Sequence, residues 1–204
     1  MLDTVARRAM RTPVDRLAAV VDRSAVTPNR LTLLGLVLGV SAAVSAAGAH
    51  WWLALVLWLA SRVADGLDGA LARRRATEAP PQAAGGFLDI TADFIVYGAF
   101  VIGVGVGVGS GQSLLPFMFV LLGYYVNGSA FLAYSSIAER TGRQIDDGRS
   151  LSFLGGIAEG TETIAVHSLW CLMPGAADAI AWAWACVVLA SAVARLVVGY
   201  RALA

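Results

Sequence analysis

Apolar residues run along this chain in six long stretches, roughly 31–49, 51–73, 87–108, 113–138, 152–173 and 177–200. As helices rising ~1.5 Å per residue, stretches of about 20 residues cross the ~30 Å of a bilayer's hydrocarbon core. The breaks between them are Gly48-Ala49-His50, a loop holding Pro80-Pro81, Gly109-Ser110-Gly111, the polar run Glu139 to Ser150, and Pro174-Gly175. Lipid offers no water to satisfy backbone groups, so a spanning segment is either a helix or a strand of a closed barrel. These stretches lack the period-two alternation of barrel strands. The pattern predicts an all-α integral membrane protein with six transmembrane helices. Ahead of them, Val5, Ala6, Met10, Val14, Leu17, Ala18 and Val21 share one helical face, and Arg7, Arg8, Arg11 and Asp15 fall mostly on the other. That predicts an N-terminal amphipathic helix lying in the membrane interface, with a plain solvated helix as the alternative. One domain then fills residues 1–204: an interfacial segment over 1–30 and a six-helix bundle over 31–204.

Composition agrees with the pattern. Charged residues make up 14% of the chain and hydrophobic ones 58%, with a mean hydropathy of +0.70; a soluble domain carries about 25% charge. The net charge of +1 gives no electrostatic case for binding nucleic acid. Six arginines fall within Met1 to Arg30 without an uninterrupted apolar core, which argues against a cleavable signal peptide. Cys171 and Cys186 lie far apart in apolar sequence and read as reduced, buried packing residues. The cations are all arginine, and they set the orientation. Arg7 to Arg30, Arg73 to Arg75, Arg140, Arg143, Arg149 and Arg201 fall on one side of the six-span layout, while the loops near His50, Ser110 and Gly175 carry none. By the positive-inside rule both termini face the cytoplasm, as expected for a multi-pass protein of the cytoplasmic (inner) membrane.

Charge within the spans is the informative exception. Asp65, Asp68, Asp89, Asp93, Glu159 and Glu162 lie in otherwise apolar stretches, at an insertion cost of ~2.5–3.5 kcal/mol for each such group. Asp65 and Asp68 are three apart and share a helical face, which Gly69, Ala72 and Arg73 continue. Asp89 and Asp93, four apart, stand at the start of the next helix. Asp65 lies ten residues from Arg75, and Glu159 lies ten from Arg149, so both sit about 15 Å inside the Arg-rich boundary. Carboxylates converging at one depth repel unless protons or cations offset them, and Arg62 and Arg73 are too few. Oxygen-only donors point to a hard cation, Mg²⁺ or Mn²⁺, as a bridged pair. Such a pair with an open side suits displacement at phosphorus. The plainer alternative is a hydrogen-bonded network that only ties helices together. Gly66 and Gly69 remove side chains from this face, through which a head group can approach or helices can pack.

The segment Asp65-Gly66-Leu67-Asp68-Gly69-Ala70-Leu71-Ala72-Arg73, followed by Gly85, Asp89 and Asp93, resembles the signature of the CDP-alcohol phosphatidyltransferases: D-x2-D-G-x2-A-R, a spacer, then G-x3-D-x3-D. All eight fixed positions are present. The six-helix layout and the Thr27-Pro28-Asn29 approach to the first span are also similar to this family, so the resemblance covers most of the chain. The spacer between Arg73 and Gly85 is longer than the family's usual one and contains Pro80-Pro81 and Gln82, the latter where relatives often carry Ser or Thr.

The resemblance implies that Asp65, Asp68, Asp89 and Asp93 ligate two Mg²⁺ or Mn²⁺ ions and that Asp93 is also the catalytic base on the acceptor hydroxyl. It further implies that Asn29, Thr32, Gly69, Ala72, Arg73 and Gly85 contact a CDP-linked lipid such as CDP-diacylglycerol, and that the protein is a homodimer. The implied reaction transfers a phosphatidyl group to an alcohol or sugar-phosphate acceptor in phospholipid biosynthesis, with CMP leaving on the cytosolic side. The signature does not specify the acceptor. Glu159, Thr161 and Glu162 on the fifth span, with Arg149 at its mouth, are the candidates to line that pocket, against a purely structural hydrogen-bond network. Two other readings of the acidic cluster stay open: an intramembrane prenyltransferase holding a diphosphate, and a divalent-cation transporter. An inverted repeat, which would favour transport, is not visible. The glycine run Gly103 to Gly109 follows no strand, so close helix packing accounts for it better than a dinucleotide site. His50, His167, Tyr124 and Asn127 read as interfacial or packing residues.

Overall fold

The computed structural model describes residues 2–75, 83–143 and 158–204, with the backbone alone over 2–8. Seven α-helices account for nearly all of them: α1 (Leu2–Val21), α2 (Pro28–Ala47), α3 (Trp51–Arg75), α4 (Ala83–Gly107), α5 (Leu115–Thr141), α6 (Gly160–Leu172) and α7 (Ala177–Leu203). Among the described residues there is no strand. Local sequence sets several ends. The Thr27 side chain accepts the Arg30 N–H with Pro28 at the first helical position, which starts α2. Gly142 takes a left-handed φ of 68° and lets the Arg143 N–H reach the Ala138 carbonyl, which ends α5.

Among the described residues four helices are long and apolar enough to cross a membrane: α2, α4, α5 and α7. Helix α3 equals α4 in length at 25 residues, but its buried Arg62 and Asp68 and its terminal Arg73 to Arg75 lower its apolar character. Among the described residues α6 spans 13. The outer surface is apolar: Val37, Val44, Val56, Ile102, Tyr125 and Val193 are all exposed. A soluble protein avoids a surface so continuously apolar, whereas lipid tails solvate it.

Helix α2 packs on both α3 and α4, and α5 packs on α7. Small residues permit the first arrangement. A Cβ at Gly103 or Gly107 would run into the carbonyls of Ala43 or Ala46, and one at Gly39 would meet the Val96 side chain. The glycine run is therefore a packing surface, as its sequence context indicated. The core between the two helix groups holds Trp58, Phe100, Trp170 and His167, all fully buried. His167 stacks on Phe100 and Trp170, and its Nε2 lies 3.0 Å from the Tyr124 hydroxyl, which accepts from Trp184 Nε1 at 2.7 Å. Asn127 Nδ2 donates to the Val188 carbonyl, tying α5 to α7. These three polar residues serve packing, as expected.

The loops sort to two ends. Gln112 bonds the Pro174 carbonyl and the Asp178 N–H, and His50 and Pro174 line one cleft, so the three arginine-free turns share an end. At the other end Asp22 accepts from Arg74 and Arg75, and Arg143 donates to the Ala202 and Leu203 carbonyls. Helix α1 lies against α3, with Ala18 buried on Leu67 and Ala70, whereas Met10 and Leu17 of its apolar face remain about half exposed.

Two sequence expectations need correction. Cys186 is exposed on α7 rather than buried, because it sits on the face turned away from α5; Cys171 is buried as expected, and both are free thiols. Helix α4 begins at Ala83, so Asp89 stands one to two turns inside it rather than at its start. Gly85 is a helical position where α4 approaches Asn29 of α2.

Candidate active site

Two adjacent helices supply the acids. On α3 the i, i+3 spacing turns Asp65 and Asp68 to one side, and on α4 the i, i+4 spacing does the same for Asp89 and Asp93. Packing through α2 sets the two faces opposite each other. One carboxylate oxygen from each of Asp65, Asp68 and Asp89 lies within 4.8 Å of the other two. Asp68 is buried, and its Oδ2 accepts from the Thr32 hydroxyl of α2 at 2.5 Å. Three helices therefore meet at one carboxylate.

Asp93 is placed differently. Its Oδ1 accepts from Arg62 Nη1 at 2.7 Å, and the same Nη1 lies 3.8 Å from Asp65 Oδ2. Arg62 is buried on α3, one turn before Asp65. Its Nη2 donates to Ser61 Oγ, whose own hydrogen goes to the Gly35 carbonyl, and its guanidinium lies over the rings of Trp58 and Tyr97 at 5.1 and 4.9 Å. The structure thus brings three of the four predicted metal ligands into one cluster and sets Asp93 beside it on an arginine. Arg62 entered the sequence reading only as a counter-charge. Its i, i+3 relation to Asp65 was visible in the sequence, but its bond across to Asp93 on α4 was not.

One guanidinium against four carboxylates leaves the cluster net negative. The donors suit a hard divalent cation: two oxygens on one ion at ~2.1 Å lie at most ~4.2 Å apart, so a separation within 4.8 Å closes by small side-chain rotation.

Of the residues expected to contact a CDP-linked lipid, one bonds the cluster directly and the others lie toward the Arg-rich ends of α2, α3 and α4. Thr32 touches Asp68, and the Asn29 side chain lies where α2 meets Gly85 of α4. Gly69 lies under Arg73, whose Nη1 is 3.2 Å from the position a Cβ would take, while a Cβ at Gly66 would meet open space. Ala72 and Arg73 are exposed, and Arg73 also lines a cleft of about 290 Å³ with Arg11, Asp15, Ala18, Ala70 and Arg74, between α1 and α3.

The acceptor candidates divide. Arg149, like Gln82 and Pro80-Pro81, lies outside the described residues. Glu159 precedes α6, its carbonyl accepts from Thr163 Oγ1 at 2.9 Å, and Thr161 and Glu162 follow in the first turn. That helix is tied to α3 by Trp58 Nε1, which donates to the Ile164 carbonyl at 3.4 Å. Trp58 also lies under Arg62, so it links α6 to that guanidinium. Arg143, whose cationic role was read as orientation bias, closes the C-terminus of α7.

Outside the spanning segments, Asp22 is a further residue that sequence reading passed over. The Arg75 hydrogen bond, followed by Arg74, holds its carboxyl below the usual carboxylate range.

Comparison with known proteins supplies independent findings. Residues 25–198 match the family described as CDP-alcohol phosphatidyltransferase. The chain is 38% identical over 178 residues to the inner membrane protein YnjF of Escherichia coli, covering 85% of this chain and 83% of that one. It is 36% identical over 92 residues to the archaetidylinositol phosphate synthase of Methanothermobacter thermautotrophicus, covering 45% and 46% of the two chains. Among solved structures, the phosphatidylinositol phosphate synthase of Mycobacterium tuberculosis with CDP-DAG bound superposes with a TM-score of 0.71 at 21% identity, over 92% of this chain and 93% of that one. The same synthase in complex with manganese and citrate gives 0.72 at 22% identity, over 92% and 88%. At these identities the structural likeness is one of fold.

Proposed function

The chain belongs to the CDP-alcohol phosphatidyltransferase family, and from that premise we propose that it moves a phosphatidyl group from CDP-diacylglycerol, or a closely related CDP-linked lipid, to an alcohol acceptor. Neither prenyl transfer nor cation transport is favoured once the family is known. The observation that carries the reading is the approach of Asp65, Asp68 and Asp89 to within 4.8 Å of one another, with Asp93 alongside on Arg62.

In this reading Asp65, Asp68 and Asp89 hold divalent metal, Mg²⁺ or Mn²⁺, with Asp93 completing a two-ion site. When bound, the ions neutralise the diphosphate and stabilise the attacking and leaving oxygens. The chain's own groups do the rest. Asn29, Thr32, Gly69, Ala72, Arg73 and Gly85 receive the CDP portion, the glycines by leaving room for it and Arg73 by its charge. The acceptor hydroxyl attacks the lipid-side phosphorus, its O–P bond forms as the P–O bond to CMP breaks, and its proton passes to Asp93 as general base. Thr32 holds Asp68 in one orientation, which keeps the ligand set preorganised. Glu159, Thr161 and Glu162, with Arg149, line the acceptor side.

The same reading counts α3 and α6 as spans beside the four apolar helices, giving six. It places both termini and the acids on the cytoplasmic side of the inner membrane, the location named for the Escherichia coli relative, and takes the working form to be a homodimer.

The test is CMP release from CDP-diacylglycerol by the purified protein with Mg²⁺ or Mn²⁺ across a panel of alcohols. The names of the archaeal relative and of the mycobacterial synthase put inositol phosphate first in that panel. Metal-dependent CMP release with one acceptor is expected. No CMP with any acceptor, alongside metal flux into liposomes, overturns the transferase reading.

A further inference from the structure

Arginine is the least expected residue in the middle of a bundle core. Arg62 is 9% exposed, deeper than Asp65 or Asp93. A buried cation with a single partner would gain little over its desolvation cost, yet both terminal nitrogens of Arg62 are bonded while its buried Nε has no partner. Nη2 is anchored through Ser61 to the Gly35 carbonyl of α2. Two rings lie against one side of the guanidinium, Trp58 from α3 and Tyr97 from α4. From that seat Nη1 bonds Asp93 Oδ1 while lying 3.8 Å from Asp65 Oδ2. The planar fork of arginine makes this possible; the ammonium of lysine, a point charge on a flexible stem, cannot bond Ser61 and Asp93 in fixed directions at once.

We propose that Arg62 is a positioning residue: it locks the Asp93 carboxylate through Oδ1, so that Oδ2 is the oxygen presented to the acceptor hydroxyl, and it ties the base on α4 to the metal-binding face of α3. The inference rests on Asp93 being the base and deepens that reading. Trp58 extends the tie, because it lies under Arg62 and bonds α6 at Ile164. The acceptor side and the base thus share one mount.

The test compares Arg62→Met, Arg62→Lys and Ser61→Ala with the wild type in nanodiscs. The readouts are kcat, KM for CDP-diacylglycerol, Mn²⁺ affinity by electron paramagnetic resonance, and melting temperature. Arg62→Met is expected to lower kcat by about 10²-fold, the scale of a misplaced catalytic group, with KM little changed. Its Mn²⁺ binding holds or tightens, because a cation beside Asp65 is gone. Arg62→Lys recovers at most part of the rate, and Ser61→Ala, which removes the anchor but keeps the charge, loses some. Wild-type kcat in Arg62→Met overturns the proposal. So does full recovery by lysine, which would reduce the role to charge, or a parallel fall of kcat, Mn²⁺ affinity and melting temperature, which would reduce it to packing. If Arg62→Met fails to fold, unchanged kcat in Ser61→Ala overturns it alone. Asp93→Asn separates the two failures. Normal turnover in that variant removes the base reading, whereas an inactive Asp93→Asn beside a fully active Arg62→Met removes only the positioning role.

Discussion

At the scale of single residues, the same residue type serves different ends in different surroundings, and substitution separates them. Asp93 and Asp68 are both aspartates facing the cluster, but Asp68 is buried on Thr32 and Asp93 is held by Arg62. Replacing Asp93 with Asn keeps its shape and removes its proton-accepting charge. Turnover is expected to fall by about 10²–10⁴-fold, the usual contribution of a general base, while CDP-lipid binding persists; single-turnover CMP release and lipid binding measured on the same sample check this. Gly66 and Gly103 contrast in the same way. Nothing lies near the position of a Gly66 Cβ, while a Gly103 Cβ meets the Ala43 backbone. Gly66→Leu is therefore expected to leave the melting temperature intact and raise KM for the CDP-linked lipid, by filling the face a head group needs. A lowered melting temperature with unchanged KM would make Gly66 a packing residue instead.

At the scale of helices, α2 is the spacer that sets the site. Its small residues let α3 and α4 close on it, and that closeness brings Asp89 of α4 within reach of Asp65 and Asp68. Gly103→Val inserts side chain into a backbone contact, and overpacking of this kind costs about 1–3 kcal/mol or more. The expected outcome is a lower melting temperature and weaker Mn²⁺ binding together, although Gly103 touches no aspartate. Helix α1 is held by a polar clamp, Asp22 on Arg74 and Arg75. Because the arginines depress the Asp22 carboxyl, its contribution is full above the ordinary aspartate pKa of about 4 and is lost as pH falls through the lowered value. Hydrogen exchange of residues 9–21 should accordingly be slow at neutral pH, rise on strong acidification, and already be fast at neutral pH in Asp22→Asn.

At the scale of the whole molecule, fold and metal site are separable. The core of Trp58, Phe100, Trp170 and His167 and the close contacts of α2 with α4 at Gly103 and Gly107 involve no carboxylate of the cluster. Chelation of metal is expected to abolish CMP release while helical content, followed by far-UV circular dichroism, stays unchanged; co-loss of both would mean that the ions hold the bundle together. The helical architecture, four of the six expected apolar spans, the arginine asymmetry and the four aspartates with their signature were legible in the chain alone, because helical period, hydropathy and i, i+3 or i, i+4 spacing are local properties. Pairing between helices was not legible. That carboxylate oxygens of Asp65, Asp68 and Asp89 come within 4.8 Å of one another while Asp93 lies on Arg62, that Gly85 meets Asn29 of α2, that Cys186 is exposed, and that Asp22 clamps the end of α3 all depend on helix rotation and distance across the bundle. Sequence spacing orients residues about one helix axis, but only tertiary packing brings the faces of different helices together and so decides which partner each carboxylate meets.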